Sequence, residues 1–446
     1  METIRRFGDD WRILHSSKII YSTSSYHNLI LADSHKEIFG ESIFRIYGKM
    51  VSDKFYNRRV LKTSVKIMML VLLLAGVSGA ATLTVNASGG ADYTRIQDAI
   101  NVSTAGDTIL VYSGTYYENV NVDKPLTMRG IGMPVVDARE SGDAITLSAS
   151  GSMLDGFIAK NGNKSWQNAG IKVISDSNII KNNSALNNYN GIFLYPSSNT
   201  TLSGNYVNSN VHIGIYLYSS GNNSLTGNYE SNGHHGIYLS FSSNNTLSGN
   251  NEWNNSYTGI GLFSSSSNTL SGNNVSNNEG DGIYLSNYSS SNTLSGNKVS
   301  NNYADIHISS SSNTIYNNYF NNSNNFQFYG TIYNTWNITK TLGTNIIGGS
   351  YLGGNFWANP NGTGFSQTCT NVEDGICESP YTLDSNNTDY LPLAYNITQT
   401  LVDSYLPPGA TPAERKAGLI RAMDDYFDNG ALTKPELLSV LDAYFA

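Results

Sequence analysis

SSSSNTLSGNNVSNNEGDGIYLS (residues 264–286) carries almost no charge, yet close copies of it stand on both sides. A Gly-Ile phrase recurs at Gly170, Gly191, Gly214, Gly236, Gly259 and Gly282, and Asp305 with Ile306 takes the next place. The steps are 21, 23, 22, 23, 23 and 23 residues. A second phrase keeps the same pace, with apolar centres at Ile180, Leu202, Leu225, Leu247, Leu270, Leu294 and Ile315. Asn stands three residues after every one of these centres, from Asn183 to Asn318, and two residues before most of them.

A period near 22 with short β-type runs between Asn, Ser and Gly is too short for a helical hairpin repeat and fits one turn of a solenoid. Each turn is expected to hold short strands, such as Gly-Ile-Tyr-Leu and Thr-Leu-Ser. Bends join them where Asn and Gly tolerate left-handed backbone. Successive turns stack as parallel strands about 4.8 Å apart. The residues one and three after each Gly point inward, and Asn at a fixed place passes side-chain hydrogen bonds from turn to turn.

Charged residues make up 13% of the 446, and the net charge is −8. Arg is absent between positions 139 and 415, so no basic stripe exists to meet phosphates and nucleic acid is not an expected partner. Thirty Tyr and the periodic Ile and Leu supply a core, which argues against disorder.

Residues 50–80 read as a secretory signal. Arg58, Arg59, Lys62 and Lys66 precede the apolar run Ile67 to Val77, and Ser78-Gly79-Ala80 forms a small-residue cleavage site. The competing reading is an uncleaved anchor, for which eleven apolar residues are short. A signal so far from Met1 suggests translation from Met50, leaving 1–49 as a non-translated or disordered extension. The only two Cys, Cys369 and Cys377, suit one local disulfide outside the cytoplasm. About fifteen Asn-x-Ser/Thr sequons, Asn254, Asn274, Asn337 and Asn396 among them, are sites for glycans where the organism uses them.

Residues 81–140 differ from the repeats. Thr94 and Gln97 are spaced as a capping box, with Ile96, Ala99 and Ile100 on one helix face. Thr108–Tyr112, Tyr117–Val122 and Leu126–Met128 read as the first strands. The helix is expected to cap the open end of the solenoid. ADYTRIQDAI and GDTILVYSGTYYENVNVDKPLTMRG, followed by repeats over 141–350, resemble the pectin-lyase-like superfamily of right-handed parallel β-helices. Within it they most resemble archaeal surface proteins and the periplasmic copper-processing NosD-type proteins. The segment 351–395 resembles the motif that ends many such archaeal domains. The resemblance covers 82 to about 395, and it implies fold more strongly than activity.

In that ending motif an Asp-rich run often precedes the Gly-Ile; here it reads Asn371-Val372-Glu373-Asp374-Gly375-Ile376, with acids missing. Glu373 and Asp374 remain candidates for Ca²⁺, against a loop pinned by its disulfide. Residues 396–413, with Pro407, Pro408, Gly409 and Pro412, read as a linker. Residues 414–446 read as a helical hairpin that resembles dockerin-like tails, with a degenerate Ca²⁺ loop at Asp428-Asn429-Gly430. Too small to bury its own Leu and Phe, it is expected to dock on a partner chain or on the solenoid end.

The superfamily includes pectate lyases and polygalacturonases, whose chemistry needs clustered carboxylates with a base or a metal. Acids are few in 141–350, and Gly233-His234-His235-Gly236 only resembles one element of the polygalacturonase set. One concentration survives. His212 and His234 each stand two before a repeat Gly, and Glu230 and Glu252 stand five after a repeat Leu, where other turns carry Val207, Val275 and Val299. With His235 nearby, Glu230, Glu252 and His234 are candidate catalytic residues, and His212 and His234 candidate metal ligands, against surface substitutions in a tolerant repeat. Met128, Met133 and Met153 read as core rather than soft-metal ligands.

Positions two and four after each Gly face outward on this reading, placing Phe193, Tyr216, Tyr238, Tyr284 and His307 in one row and Tyr195, Tyr218 and Phe263 in the next. Tyr189, His212, His234 and Tyr257 continue the face. Such rows either stack on sugar rings or ladder on one another. The expectation is an exported cell-surface or envelope protein that binds or organises polysaccharide or surface proteins without catalysis. A polysaccharide lyase or hydrolase is the alternative, and a NosD-like copper-processing factor is the reading that resemblance alone carries.

Overall fold

Every regular coil of the solenoid carries three strands, the Gly-Ile and Thr-Leu-Ser kinds and a third. A computed structural model describes residues 80–370, 374–395 and 404–427, the strands Thr3–Phe7, Asp10–His15 and Lys18–Ser22, and Leu437, Val440, Leu441 and Tyr444. Strands of the Gly-Ile kind form a ten-stranded sheet from Val120–Val122 to Phe326–Phe328. The Thr-Leu-Ser strands form an eleven-stranded sheet from Thr82–Val85 to Thr314–Tyr316. A third sheet, also eleven-stranded, runs from Thr115–Tyr116 to Phe356–Ala358. Neighbouring strands in the three sheets are parallel, so the body is a parallel β-solenoid.

Registry explains why the sequence repeats. Ile192 lies beside Ile215, then Ile237, Ile260 and Ile283, while Leu225 lies beside Leu247, Leu270 and Leu294. All are wholly buried, each worth about 1.5–3 kcal/mol of apolar burial. The third sheet adds one inward residue per coil, Val207, Val275 and Val299 among them.

The repeat glycines are not at left-handed corners. A Cβ on Gly191, Gly259 or Gly282 would lie 2.4, 2.3 or 2.5 Å from Cγ1 of Val207, Val275 or Val299, so Gly makes room for the third sheet. Left-handed backbone occurs elsewhere, at Asn182, Asn222, Asn244 and Asn254 and at Gly204, Gly227, Gly249 and Gly272.

Asn ladders run along the coils as expected. Asn205 Nδ2 donates to Asn228 Oδ1 at 2.9 Å, Asn228 to Asn250 at 2.9 Å and Asn250 to Asn273 at 3.0 Å. A parallel ladder links Asn245, Asn268 and Asn292. A third joins Asn188 to Asn210 and, farther on, Asn278 to Asn302. Most of these amides also reach a main-chain carbonyl, as Asn228 reaches Leu202, so buried polar corners are satisfied in series.

The ends are closed differently. Helix Ile96–Val102 buries Ile96, Ala99 and Ile100 as expected, but Thr94 makes no cap. Glu118 accepts from Ile96 N at 2.8 Å and Gln97 N at 3.1 Å instead, setting a carboxylate at the helix N-terminus. Gln97 turns its side chain toward Asn101 and Asn121. At the far end Trp336 and Trp357 join the core, their rings 5.7 Å apart, with Phe320 stacked on Trp357. Asn387 and Asp389 take the last ladder bonds, from Asn334 N and Asn355 N.

Cys369 and Cys377 form a disulfide. In the tail, helix Pro412–Phe427 buries Ala422 with Leu437 and Val440 against Tyr405 and Leu406. Those two residues, read as linker, therefore belong to the tail's own core, and Gly418 admits the Tyr405 carbonyl where a Cβ would be 1.6 Å away. Asp428–Gly430, the expected degenerate loop, lies outside the described residues, as does the expected signal 50–79. Residues 1–79 form a separate unit in which Thr3–Phe7, Asp10–His15 and Lys18–Ser22 pair as an antiparallel meander. Among the described residues, no helix is long and apolar enough to cross a membrane.

Candidate functional site

The repeat is interrupted at one level of the solenoid. Glu230 and Glu252 replace Val in the third sheet, adjacent to each other in register. Gly233 stands where the third Asn ladder has Asn210 and Asn255, and His234 and His235 follow it. The ladder is broken there: Gly233 N still donates to Asn255 Oδ1 at 2.9 Å, but Gly233 offers Asn210 no amide, and Asn255 Nδ2 has no partner.

Both glutamates lie inside the body, wholly buried, which corrects their reading as surface groups. Their carboxyl groups meet over Gly236, where a Cβ would be 2.6 Å from Glu252 Oε2 and 2.8 Å from Glu230 Oε2. Gly214 makes room in the same way for Glu230, whose Cγ would be 2.2 Å from a Cβ there. Burial pushes Glu230 up to about 8, and burial together with the charge of Glu230 raises Glu252 well above the usual carboxylate range. Enclosed on all sides, neither carboxyl can touch a polymer, so as catalytic candidates they fail on access.

The histidines are on the outer face of the Gly-Ile sheet. His212 and His234 stack as expected, centroids 5.9 Å apart and planes 14° apart. His235 stands edge-on to both, 5.9 Å from His212 and 4.5 Å from His234. Each of the three offers a ring nitrogen, and these atoms all lie within 4.8 Å of one another. Burial holds His235 down to about 3, and burial with the nearby His234 lowers His212. The sequence places His235 near the His212–His234 pair, and the fold sets its ring edge-on to both.

Aromatic rows flank this trio. Tyr189, His212, His234 and Tyr257 stack at 5.1, 5.9 and 5.2 Å. Phe193 lies 4.8 Å from Tyr216 and 6.2 Å separates Tyr216 from Tyr238. Tyr238 leans over Gly261, which interrupts the row before Tyr284 and His307. Tyr195, Tyr218, Phe241 and Phe263 form the next row, 5.2, 5.7 and 5.6 Å apart. Phe193 is a correction: it is wholly buried, because Tyr195 and Tyr216 stack against it. Tyr216, Tyr238, Tyr195, Tyr218 and Tyr284 are half-buried, and burial pushes Tyr238 up to about 12. Phe241 (53% exposed), Tyr257 (50%) and Phe263 (38%) show rings to solvent. Tyr206, Tyr229 and Trp253, exposed on the third sheet, were not anticipated because that sheet itself was not.

Asp374 pairs with Lys340 and accepts from Ile376 N, and Glu373 lies outside the described residues. His307 pairs with Asp281 at 2.8 Å, away from the trio.

Comparison with known proteins adds three findings. A cell surface glycoprotein of Methanothermus fervidus is 34% identical over 106 residues, which cover 22% of this chain and 18% of that protein. This chain thus matches less than a fifth of the length of that relative. Among solved structures, the periplasmic alginate epimerase AlgG is 17% identical over 50% of this chain and 65% of its own, with a TM-score of 0.37. An alginate lyase from Paenibacillus sp. str. FPU-7 is 12% identical over 57% of this chain and 98% of its own, with a TM-score of 0.43.

The family described as periplasmic copper-binding protein (NosD) matches residues 136–233 and 213–362. Three imidazoles are a donor set that copper accepts, so the residues present fit the ion that description implies. Met128 is buried in the core and offers no thioether there. The matched stretches span the coils that carry the histidines and half of the whole chain, and the chain belongs to the NosD family.

Proposed function

We propose that this chain is an exported envelope or cell-surface protein whose outer aromatic face holds polysaccharide without catalysis. The observation that carries the reading is the set of rings on the Gly-Ile sheet, ordered along the solenoid with Phe241, Tyr257 and Phe263 open to solvent. Rings fixed by their neighbours lose little freedom on binding, and flat faces beside Ser and Asn suit stacking with hydrogen bonds. The name of the Methanothermus relative agrees with a place on the cell surface. The enclosure of Glu230 and Glu252 argues against the hydrolase or lyase alternative.

The test applies the purified chain to a panel of soluble and insoluble polysaccharides, reading retention and newly released chain ends in the same tubes. Retention without release, lost in Tyr216→Ala/Tyr238→Ala and in Phe241→Ala/Phe263→Ala, is the expected result. Release that disappears in Glu230→Gln would make this an enzyme and sink the proposal.

The tail keeps a second role within the same reading. Ile420, Met423 and Phe427 lie exposed at helical spacing on Pro412–Phe427, a stripe suited to an apolar partner chain. Loss of co-purifying surface protein on Phe427→Ser, with the solenoid melt unchanged, would support that contact; an unchanged complement would remove it.

A further inference from the structure

We propose that His212, His234 and His235 form a site for one first-row divalent transition-metal ion on the outer face of the solenoid. Their three ring nitrogens lie within 4.8 Å of one another, two supplied by consecutive residues and one by the preceding coil. The backbone ties the two coils together at this point: His234 N and His235 N both donate to the His212 carbonyl, at 3.1 and 2.9 Å. The trio is therefore preassembled by strand pairing rather than by a mobile loop.

A second observation points to a ligand. Nδ1 of His234 and Nδ1 of His235 are both buried and have no hydrogen-bond partner. A buried polar atom left without a partner costs about 1–3 kcal/mol. The Thr258 hydroxyl, in register with His235 on the next strand, is buried and partnerless too. Polar groups are left unsatisfied here although the ladders satisfy them elsewhere in series. A metal ion accepts such nitrogen lone pairs directly.

The chemistry of the trio selects the class of ion. Metal–imidazole bonds of about 2.0–2.1 Å in a tetrahedral arrangement need nitrogens about 3.3–3.4 Å apart, so the rings must close by about 1.5 Å at most, within reach of side-chain rotation. Among the described residues no carboxylate shares the trio; Glu230 and Glu252 belong to the interior and Asp281 to His307. Neutral nitrogen donors without oxygen favour Cu²⁺, Zn²⁺ or Ni²⁺ over Ca²⁺ or Mg²⁺. Three protein ligands leave a fourth position for water or another donor. The site stands independently of the carbohydrate reading, since Tyr216 and Tyr238 are not ligands.

Equilibrium dialysis of the full chain against Cu²⁺, Zn²⁺ and Ni²⁺ in turn, with the metal counted by mass spectrometry, tests the site. One ion per chain is expected, and the electron paramagnetic resonance spectrum of the Cu²⁺ form should show coupling to three nitrogens. His235→Gln should weaken binding by more than the roughly 10–100-fold that follows loss of a supporting residue around a metal site. It should also reduce the coupled nitrogens to two. His307→Gln should leave both readouts unchanged. Absence of stoichiometric binding overturns the proposal. So does binding that survives in His212→Gln/His234→Gln/His235→Gln, where His15, His27, His35 and His307 remain. Because the spectrum of the unaltered chain with fewer than three nitrogens would also overturn it, the test does not depend on the variants folding.

Discussion

At one place in the third sheet, Val207, Val275 and Val299 fill the interior beside a repeat glycine, whereas the two coils between them place Glu230 and Glu252 there. The space is the same and the glycines opposite are the same, since Gly214 and Gly236 yield to Glu as Gly191 and Gly259 yield to Val. Two other buried acids sharpen the contrast. Asp305 accepts from Asn321 N at 2.8 Å and Asn302 Nδ2 at 3.2 Å, and Asp389 from Asn355 N at 2.8 Å and Trp357 Nε1 at 2.9 Å. The solenoid thus surrounds those two acids with donors at its far end, while in its middle it leaves a pair of carboxyls facing each other. A repeat fold keeps local consistency wherever stability alone decides, and the departure gathers beneath the histidine trio.

Breaking the continuity that both kinds of coil share should have the largest effect. Asn228→Ala removes the acceptor of Asn205 N and Asn205 Nδ2 and the donor to Leu202 O and Asn250 Oδ1. With several buried groups unsatisfied at once, a loss of about 3–5 kcal/mol is expected in denaturant melts. A loss under 1 kcal/mol would show that water replaces the ladder.

Next comes the exchange of one coil type for the other. An unfolded Glu titrates near 4.5, while Glu230 keeps its proton up to about 8. Across that window the fold binds more protons than the unfolded chain, so stability is full below the lower value and falls as pH rises through the upper one. Asp305 and Asp389, raised to about 8 and about 7 by burial, add to the same slope. Glu230→Val/Glu252→Val, which copies the neighbouring coils, should gain about 1–4 kcal/mol at pH 8 and flatten the profile, leaving the part due to the two Asp. A melting temperature that rises between pH 5 and pH 8 in the unaltered chain would contradict this assignment.

The outer face offers a smaller contrast. Tyr216→Ala removes stacking on Phe193 and Tyr238, worth about 0.5–1.5 kcal/mol per ring pair beyond burial, and should expose Phe193 to solvent. Smallest of all, His307→Gln breaks a pair with Asp281 near the surface and should cost no more than about 1 kcal/mol. Equal losses for the two would mean that the rows are not mechanically continuous.

The period of the Gly-Ile phrase was enough to read the coil length, the inward Ile and Leu and the Asn ladders, because each depends on one residue meeting its own copy. The third sheet was not legible in the same way. Its strands, such as Tyr206–Asn208, are as short as the Thr-Leu-Ser strands with one inward side chain each, but they carry no fixed phrase to mark them. The fixed place of Val207, Val275 and Val299 was visible, but the acids at the same position suggested a surface, since Glu is seldom wholly buried. Phe193 was misplaced because outward orientation does not imply exposure once rings stack at coil spacing. The histidine trio was legible in outline: periodicity aligns His212 with His234, adjacency puts His235 nearby, and the geometry adds its edge-on ring.

The missing amide at Gly233 has a consequence for how the body opens. In a stack where each coil touches only its neighbours, cooperativity is passed along a line, and the line weakens wherever one coupling is lost. Coils ending at Asn210 and coils beginning at Asn255 are joined across this level by two ladders instead of three. Native-state hydrogen exchange should therefore resolve two opening units that meet at the histidines. An ion held by His212 from one side and by His234 and His235 from the other would act as a rivet across that seam, merging the two units into one.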